Sequence, residues 1–137
     1  MPANTVKKFM YLNRKAPYGT IYALESLEVM LIGSAFDQTV SLAFVDDGVY
    51  QIVKGQDTAG IGQKNFSAAY RALADYDITR LYVERESLQA RNLAAADLMD
   101  LVYADENDNW AEKPSIRIVS SAELAAVMDD QDIVLSF

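Results

Sequence analysis

The chain has 137 residues, of which 51% are hydrophobic and 23% charged, and it carries a net charge of −8 at pH 7 with no cysteine and no histidine. Its length suits one domain, residues 1–137, that buries roughly two thirds of its unfolded surface, and its acidity argues against tracking nucleic-acid phosphates, which takes clustered Lys and Arg. Without Cys and His there are no disulfides, no thiolate chemistry, few routes to zinc and no His-based acid, base or triad mechanism, so carboxylate, Lys, Tyr and Ser chemistry remains.

No amino-terminal stretch reads as a secretory signal, because MPANTVKK runs straight into a predicted strand, and no apolar run approaches the 18 or so residues that would span a bilayer. A cytoplasmic protein without membrane contact is the expectation. Lys8 to Leu12 (KFMYL) is apolar without clean alternation, as in a strand buried on both faces of a parallel sheet. Pro17 and Gly19 end it. The spacing of Ile21, Leu24, Leu27, Leu31 and Ala35 predicts an amphipathic helix whose early Glu25 and Glu28 favour the helix dipole.

Val40 to Val45 (VSLAFV) reads as a second strand, followed at once by Asp46, Asp47 and Gly48, with the two Asp residues expected to cap a short helix over Val49 to Lys54. The glycine-containing segment Gly55 to Lys64 predicts a loop. Phe66, Ala69, Tyr70 and Leu73 mark a further helix capped by Asn65. Leu81, Tyr82 and Val83 form a third strand, after which Glu84 to Ser87 reads as a loop and Ser87 to Arg91 as one helical turn. Ala94 to Tyr103 has a helical pattern in Leu98, Leu101 and Val102, and Ala104 to Pro114 (ADENDNWAEKP) predicts a long polar surface loop. Ile116 to Val119 resumes a strand, Ser120 and Glu123 have capping-box spacing ahead of a last helix through Leu124, Val127 and Met128, and Ile133 to Phe137 closes the chain as a strand. Strands and helices alternate, which predicts an α/β fold on a five-stranded parallel sheet with right-handed crossovers.

Several constellations have chemical readings. Asp105, Asn107 and Asn109 match the first, third and fifth positions of a calcium loop, but Trp110 stands where the sharp turn needs glycine and Ile116 where a bidentate Glu is needed, so a solvated acidic loop is expected. Gly60 and Gly62 lack the following Lys-Ser or Lys-Thr of a phosphate cradle. The turn Asn13 to Thr20, which contains Pro17, Tyr18 and Gly19, is placed to meet an anion or a flavin phosphate at a helix amino terminus, although a plain turn whose Tyr18 touches a partner explains the same residues. Asp46 and Asp47 resemble an acidic pocket, yet the first strand brings Asn13 rather than another carboxylate. Glu84 and Glu86 flank Arg85 at a strand end, where acid and base groups often stand and where a salt-bridged loop is the simpler expectation. Eight tyrosines and one Trp suggest a covered surface in an oligomer.

APYGT at Ala16 to Thr20, FVDDGVYQIVKGQ at Phe44 to Gln56, YDITRLYVERESLQARNL at Tyr76 to Leu93 and DIVLSF at Asp132 to Phe137 together resemble the DsrE/DsrF/DsrH (TusD/TusC/TusB) family of sulfur-relay subunits, in its DsrF/TusC-type branch. The acidic stretch Ala104 to Pro114 is the part that departs from the family. The resemblance implies a three-layer α/β/α, flavodoxin-like fold and a cytoplasmic heterohexamer in which sulfur travels as a persulfide on a cysteine of the DsrE-type subunit. Glu84 falls at the position of that cysteine. A thiolate nucleophile is indispensable to such a carrier, so the resemblance implies a non-catalytic subunit without cofactor, partnered by DsrE-like and DsrH-like chains and serving a DsrC/TusE-like sulfur acceptor. Pro17, Tyr18, Gly19, Asp46, Asp47 and Glu84 are the expected site-lining or partner-facing residues. Sulfur oxidation is the leading role; a TusBCD-type relay toward tRNA thiouridine and a flavin-binding carrier are the alternatives.

Overall fold

The computed structural model describes residues 7–14, 39–53, 73 and 78–137. The turn with Pro17, Tyr18 and Gly19, the helix expected from Ile21 to Ala35, the loop from Gly55 to Lys64 and all but Leu73 of the helix expected around Phe66 lie outside the described residues. Among those described, the strands are β1 (Lys8–Asn13), β2 (Thr39–Phe44), β3 (Leu81–Glu84), β4 (Val102–Asp105), β5 (Ala111–Pro114), β6 (Ile116–Val119) and β7 (Ile133–Ser136). The α-helices are α1 (Arg85–Ala90) and α2 (Ser121–Asp129), and a seven-residue 3-10 helix runs over Asp46–Ile52.

Five strands form one parallel sheet in the order β6-β3-β2-β1-β7. Alternation along each strand sends side chains to two separate cores. Tyr11, Leu42, Phe44, Leu81 and Val83 pack on one face with Val49, Ile52 and Leu88 of α1. Met10 and Ala43 pack on the other with Leu124 of α2, and partly buried Leu12, Tyr82 and Val119 join them. Burial on both faces explains why the strands read as continuous apolar runs, and each fully buried Phe, Leu or Val contributes about 1.5–3 kcal/mol. Helices thus lie on both sides of the sheet, giving three layers.

The sheet order has a functional consequence. Three successive steps move from β1 to β2, β3 and β6, and the last returns across the sheet to β7, so the strand order reverses between β1 and β7. Because all five strands are parallel, the ends of β1, β2, β3 and β6 share one edge, where groups carried on the following turns converge.

Four expectations are corrected. The segment from Ala94 to Tyr103 is not a helix: a 3-10 turn at Ala95–Asp97 is followed by extended chain that becomes β4, and the helical spacing of Leu98 and Leu101 reflects burial of both in the main core. Ala104 to Pro114 is no open loop, since β4 and β5 pair antiparallel from Val102 opposite Pro114 to Asp105 opposite Ala111. No loop follows β3, because α1 begins at Arg85, directly after Glu84. Asp46 and Asp47 do not cap a helix. They lie inside the 3-10 helix, whose N-cap is Val45, without a side-chain cap bond, and Asp46 has a φ of 50°. The Ser120–Glu123 capping box forms as the spacing predicts, with Glu123 N–H donating to Ser120 Oγ and Ser120 N–H to Glu123 Oε1, both at 3.1 Å.

Candidate functional site

Glu84 is the last residue of β3, beside Val119 at the end of β6. Its two carboxylate oxygens reach different elements. Oε1 accepts from Ser87 Oγ of α1 at 2.5 Å, and Oε2 accepts from Ser121 Oγ at the start of α2 at 3.1 Å. Ser87 Oγ in turn accepts from the backbone N–H of Asp46 at 2.8 Å, so one carboxylate joins the 3-10 helix after β2, the helix after β3 and the helix after β6. The neighbouring Glu86 accepts from the Ser121 backbone N–H at 2.9 Å. That bond is the main reason its carboxyl titrates below the usual Glu range.

Asp47 faces Arg91 rather than the network's interior. Arg91 Nε and Nη2 donate to Asp47 Oδ1 at 3.1 and 3.0 Å, while Nη1 donates to the Ser87 carbonyl at 3.2 Å. Asp46 contributes its backbone N–H. Of the residues singled out in the sequence, Asp46, Asp47 and Glu84 are therefore brought together at the carboxyl edge of the sheet, and Pro17, Tyr18 and Gly19 are outside the described residues. The sequence reading missed Ser87, Arg91 and Ser121. Glu84 and Ser87 stand three residues apart, as the N-cap and third residue of α1, which was the available signal for Ser87; nothing local announces Ser121, which lies 37 residues beyond Glu84.

The chemistry open to this cluster is narrow. Ser87 is 3% exposed, and its hydroxyl both donates to Glu84 and accepts from Asp46, which leaves no room for an incoming reactant. The positive end of α2 is already occupied by carboxylates, Glu86 on the Ser121 amide and Glu123 on the Ser120 amide. Among the described residues no group of three or more Asp and Glu is arranged to hold a metal ion. Asp105, the first residue of the calcium-like spacing, directs Oδ1 to the Asn107 N–H and Oδ2 to Lys113.

One more polar atom stands near the strand ends. Asn13, 1% exposed at the end of β1, donates through Nδ2 to the Tyr11 carbonyl, and its Oδ1 has no partner among the described residues. At the opposite edge, an open cleft of about 300 Å³ lies between α2 and the sheet, with Lys8, Thr39, Arg80 and Gln131 among its lining residues.

A model of the DsrE/DsrF-like family matches residues 7–137. The chain belongs to the DsrE/DsrF-like family. It is 53% identical over 135 residues to the intracellular sulfur oxidation protein DsrF of Allochromatium vinosum, covering 98% of this chain and 99% of that protein. A TusC homolog of Vibrio vulnificus is 31% identical over 132 residues, covering 96% of this chain and all of the relative. Among solved structures, the ychN protein of E. coli superposes with a TM-score of 0.73 over 97% of this chain and 100% of its own; at 19% identity the likeness concerns the fold alone. This DsrE/DsrF-like chain carries, where β3 ends, a carboxylate fixed between two serines.

Proposed function

We propose that the chain is a DsrF-type, non-catalytic subunit of a cytoplasmic DsrEFH-type sulfurtransferase complex that supports persulfide sulfur relay in sulfur oxidation. The observation that carries this reading is the 53% identity to DsrF along almost the whole of both chains. The 31% identity to the TusC homolog ranks the tRNA-thiolation relay second.

Residue chemistry supports the non-catalytic part. A persulfide carrier needs a thiolate, and the chain has no cysteine. Where the resemblance places the carrier cysteine stands Glu84, a carboxylate used to tie three elements together. Sulfur would then be carried on the cysteine of a DsrE-like partner and passed to a DsrC/TusE-like acceptor, with this subunit completing the assembly alongside a DsrH-like chain. Val134 and Leu135 on the edge strand β7, each 36% exposed, are apolar surface suited to cover by such neighbours.

Co-expression with and without DsrE-like and DsrH-like chains, followed by light scattering, tests the proposal. The expected outcome is a heterohexamer with two copies of each subunit, and self-association of the chain alone. A monodisperse monomer that ignores both partners overturns it. A flavin band in the visible spectrum of the purified chain would point instead to a flavodoxin-like carrier.

A further inference from the structure

The β4–β5 hairpin takes no part in the Glu84 network. It leaves the sheet at the edge opposite Glu84, since Ser115, next to β5, pairs through its backbone with Leu101 and with Leu81 at the start of β3. Its turn is held firmly. Lys113 Nζ bonds Asp105 at 2.7 Å and Asp108 at 3.1 Å, Asp105 also accepts from the Asn107 N–H at 3.0 Å, and the Trp110 N–H donates to the Asp105 carbonyl at 2.8 Å.

On this fixed turn stands Trp110, which is 66% exposed. It occupies the left-handed region with a φ of 63°, directly after Asn109 at 53°. A turn shaped only to reverse the chain would place glycine there, because a side chain in that region is strained and an exposed indole buries little of its own surface. The ring contributes little to the isolated fold, so its use lies in contact with something else. Tryptophan on a preorganised support is a common anchor of protein interfaces.

The charge around the ring selects the partner. Asp105, Glu106, Asp108 and Glu112 surround it against Lys113 alone, leaving three net negative charges on residues 105–113. That field repels nucleic-acid phosphates, anionic lipid surfaces and a second copy of this acidic chain, whose net charge is −8. It attracts a basic protein surface. Permanent subunit interfaces are larger and more apolar, whereas a single aromatic anchor in a charged rim suits a partner that binds and leaves. We propose that the β4–β5 hairpin is a docking point for a transiently bound protein that offers a slot for the Trp110 indole within a Lys and Arg rim, held away from the carboxyl edge of the sheet.

The test rests on the proposed relay, because its probe is the DsrC/TusE-like sulfur acceptor. Trp110 is the chain's one tryptophan. Incorporating 5-fluorotryptophan into this subunit alone gives a single fluorine resonance within a complex of unlabelled sister subunits. The resonance is expected to keep its solvent-exposed position on assembly and to shift when the acceptor is added. Trp110→Ala should weaken acceptor binding at least about tenfold, Trp110→Phe should restore part of it, and Glu106→Lys with Glu112→Lys should weaken it and flatten its salt dependence. A resonance that moves on assembly with the sister subunits, one that ignores the acceptor, or wild-type acceptor affinity in Trp110→Ala overturns the proposal. Failure of the subunits to assemble would count against the relay reading instead, and titrating the fluorinated chain alone with acceptor still reads the docking.

Discussion

Gly48 packs against the end of β1 so closely that a Cβ at this position would lie 1.9 Å from the Asn13 carbonyl oxygen and 2.6 Å from its carbon. The same carbonyl accepts from the Val45 N–H at 3.1 Å, which fixes the turn leaving β2 against β1. The contact is with backbone, so no side-chain rotation relieves it. Gly48→Ala is expected to destabilise the fold by about 3 kcal/mol, at the upper end of ordinary overpacking. Urea unfolding of the variant beside wild type measures it, and a midpoint within error of wild type would show that the 3-10 helix shifts freely.

Glu84→Cys places a thiol where the resemblance puts the family cysteine, yet a persulfide carrier is not expected to result. A reactive thiol needs an electropositive setting that stabilises the thiolate. Here Glu86, two residues on, is a carboxylate bonded to the same Ser121 that Glu84 meets, and the α2 amides are already bonded to Glu86 and Glu123. Treating the variant with a sulfane-sulfur donor and weighing the intact protein should show no added sulfur; a stable gain of one sulfur atom contradicts the argument. Glu84→Ala, which takes the acceptor from the buried Ser87 hydroxyl, should cost about 1–2 kcal/mol in the same unfolding assay.

Acid should weaken the fold through identifiable carboxylates. Glu86 and Glu123 are held below their ordinary 4.5 chiefly by the Ser121 and Ser120 backbone amides, and Asp105 and Asp130 below 3.8 chiefly by hydrogen bonds from Lys113 and Lys8. A depressed native value means that the unfolded chain binds protons first on acidification. The stabilisation is therefore complete above about pH 4.5 and is lost as pH falls through the lowered values. Lys113, raised above 10.5 by its bond to Asp105, has the opposite sign: its contribution is complete below 10.5 and fades at higher pH. Glu86, Glu123 and Asp130 are exposed and Asp105 and Lys113 only partly buried, so the effects should be modest and should shrink in high salt. Melting curves of wild type and Glu86→Gln across the acid range check this, with a shallower acid slope expected for the variant.

The alternation of strand and helix was legible because strands buried on both faces leave unmistakable apolar runs, as at Val40 to Val45. The Ser120 capping box was legible for a related reason, since its partners are three residues apart. What sequence spacing hid was either non-local or set by tertiary burial. Glu84 meets Ser121 only after β3 and β6 pair, and Ser87 reaches Asp46 across 41 residues. Asp46 and Asp47 carried a strong capping signal, but the chain turned into a 3-10 helix at Asp46, three residues before the expected start at Val49, and Asp47 found Arg91. In Ala94 to Tyr103 the helical spacing of apolar residues came from chain laid against the core, where Met99 N–H bonds the Ile52 carbonyl at 2.8 Å. The hairpin was obscured because its stabilising residues, Asp105, Asp108 and Lys113, are those expected of a solvated loop.

The hairpin also separates stability from docking. At Trp110 a glycine would relieve left-handed strain worth roughly 1–2 kcal/mol while adding about 0.5–1 kcal/mol of backbone entropy to the unfolded chain. The exposed indole contributes little packing against these gains and losses. Trp110→Gly should therefore leave stability unchanged or raise it by up to about 1.5 kcal/mol. Leu88→Ala, a truncation of a side chain that is 4% exposed in the main core, should cost about 2–5 kcal/mol and serves as the contrast. Urea unfolding of both variants decides the matter. A loss at Trp110→Gly comparable with that at Leu88→Ala would mean that the ring supports the fold itself, and the case for an outward-facing anchor would fail.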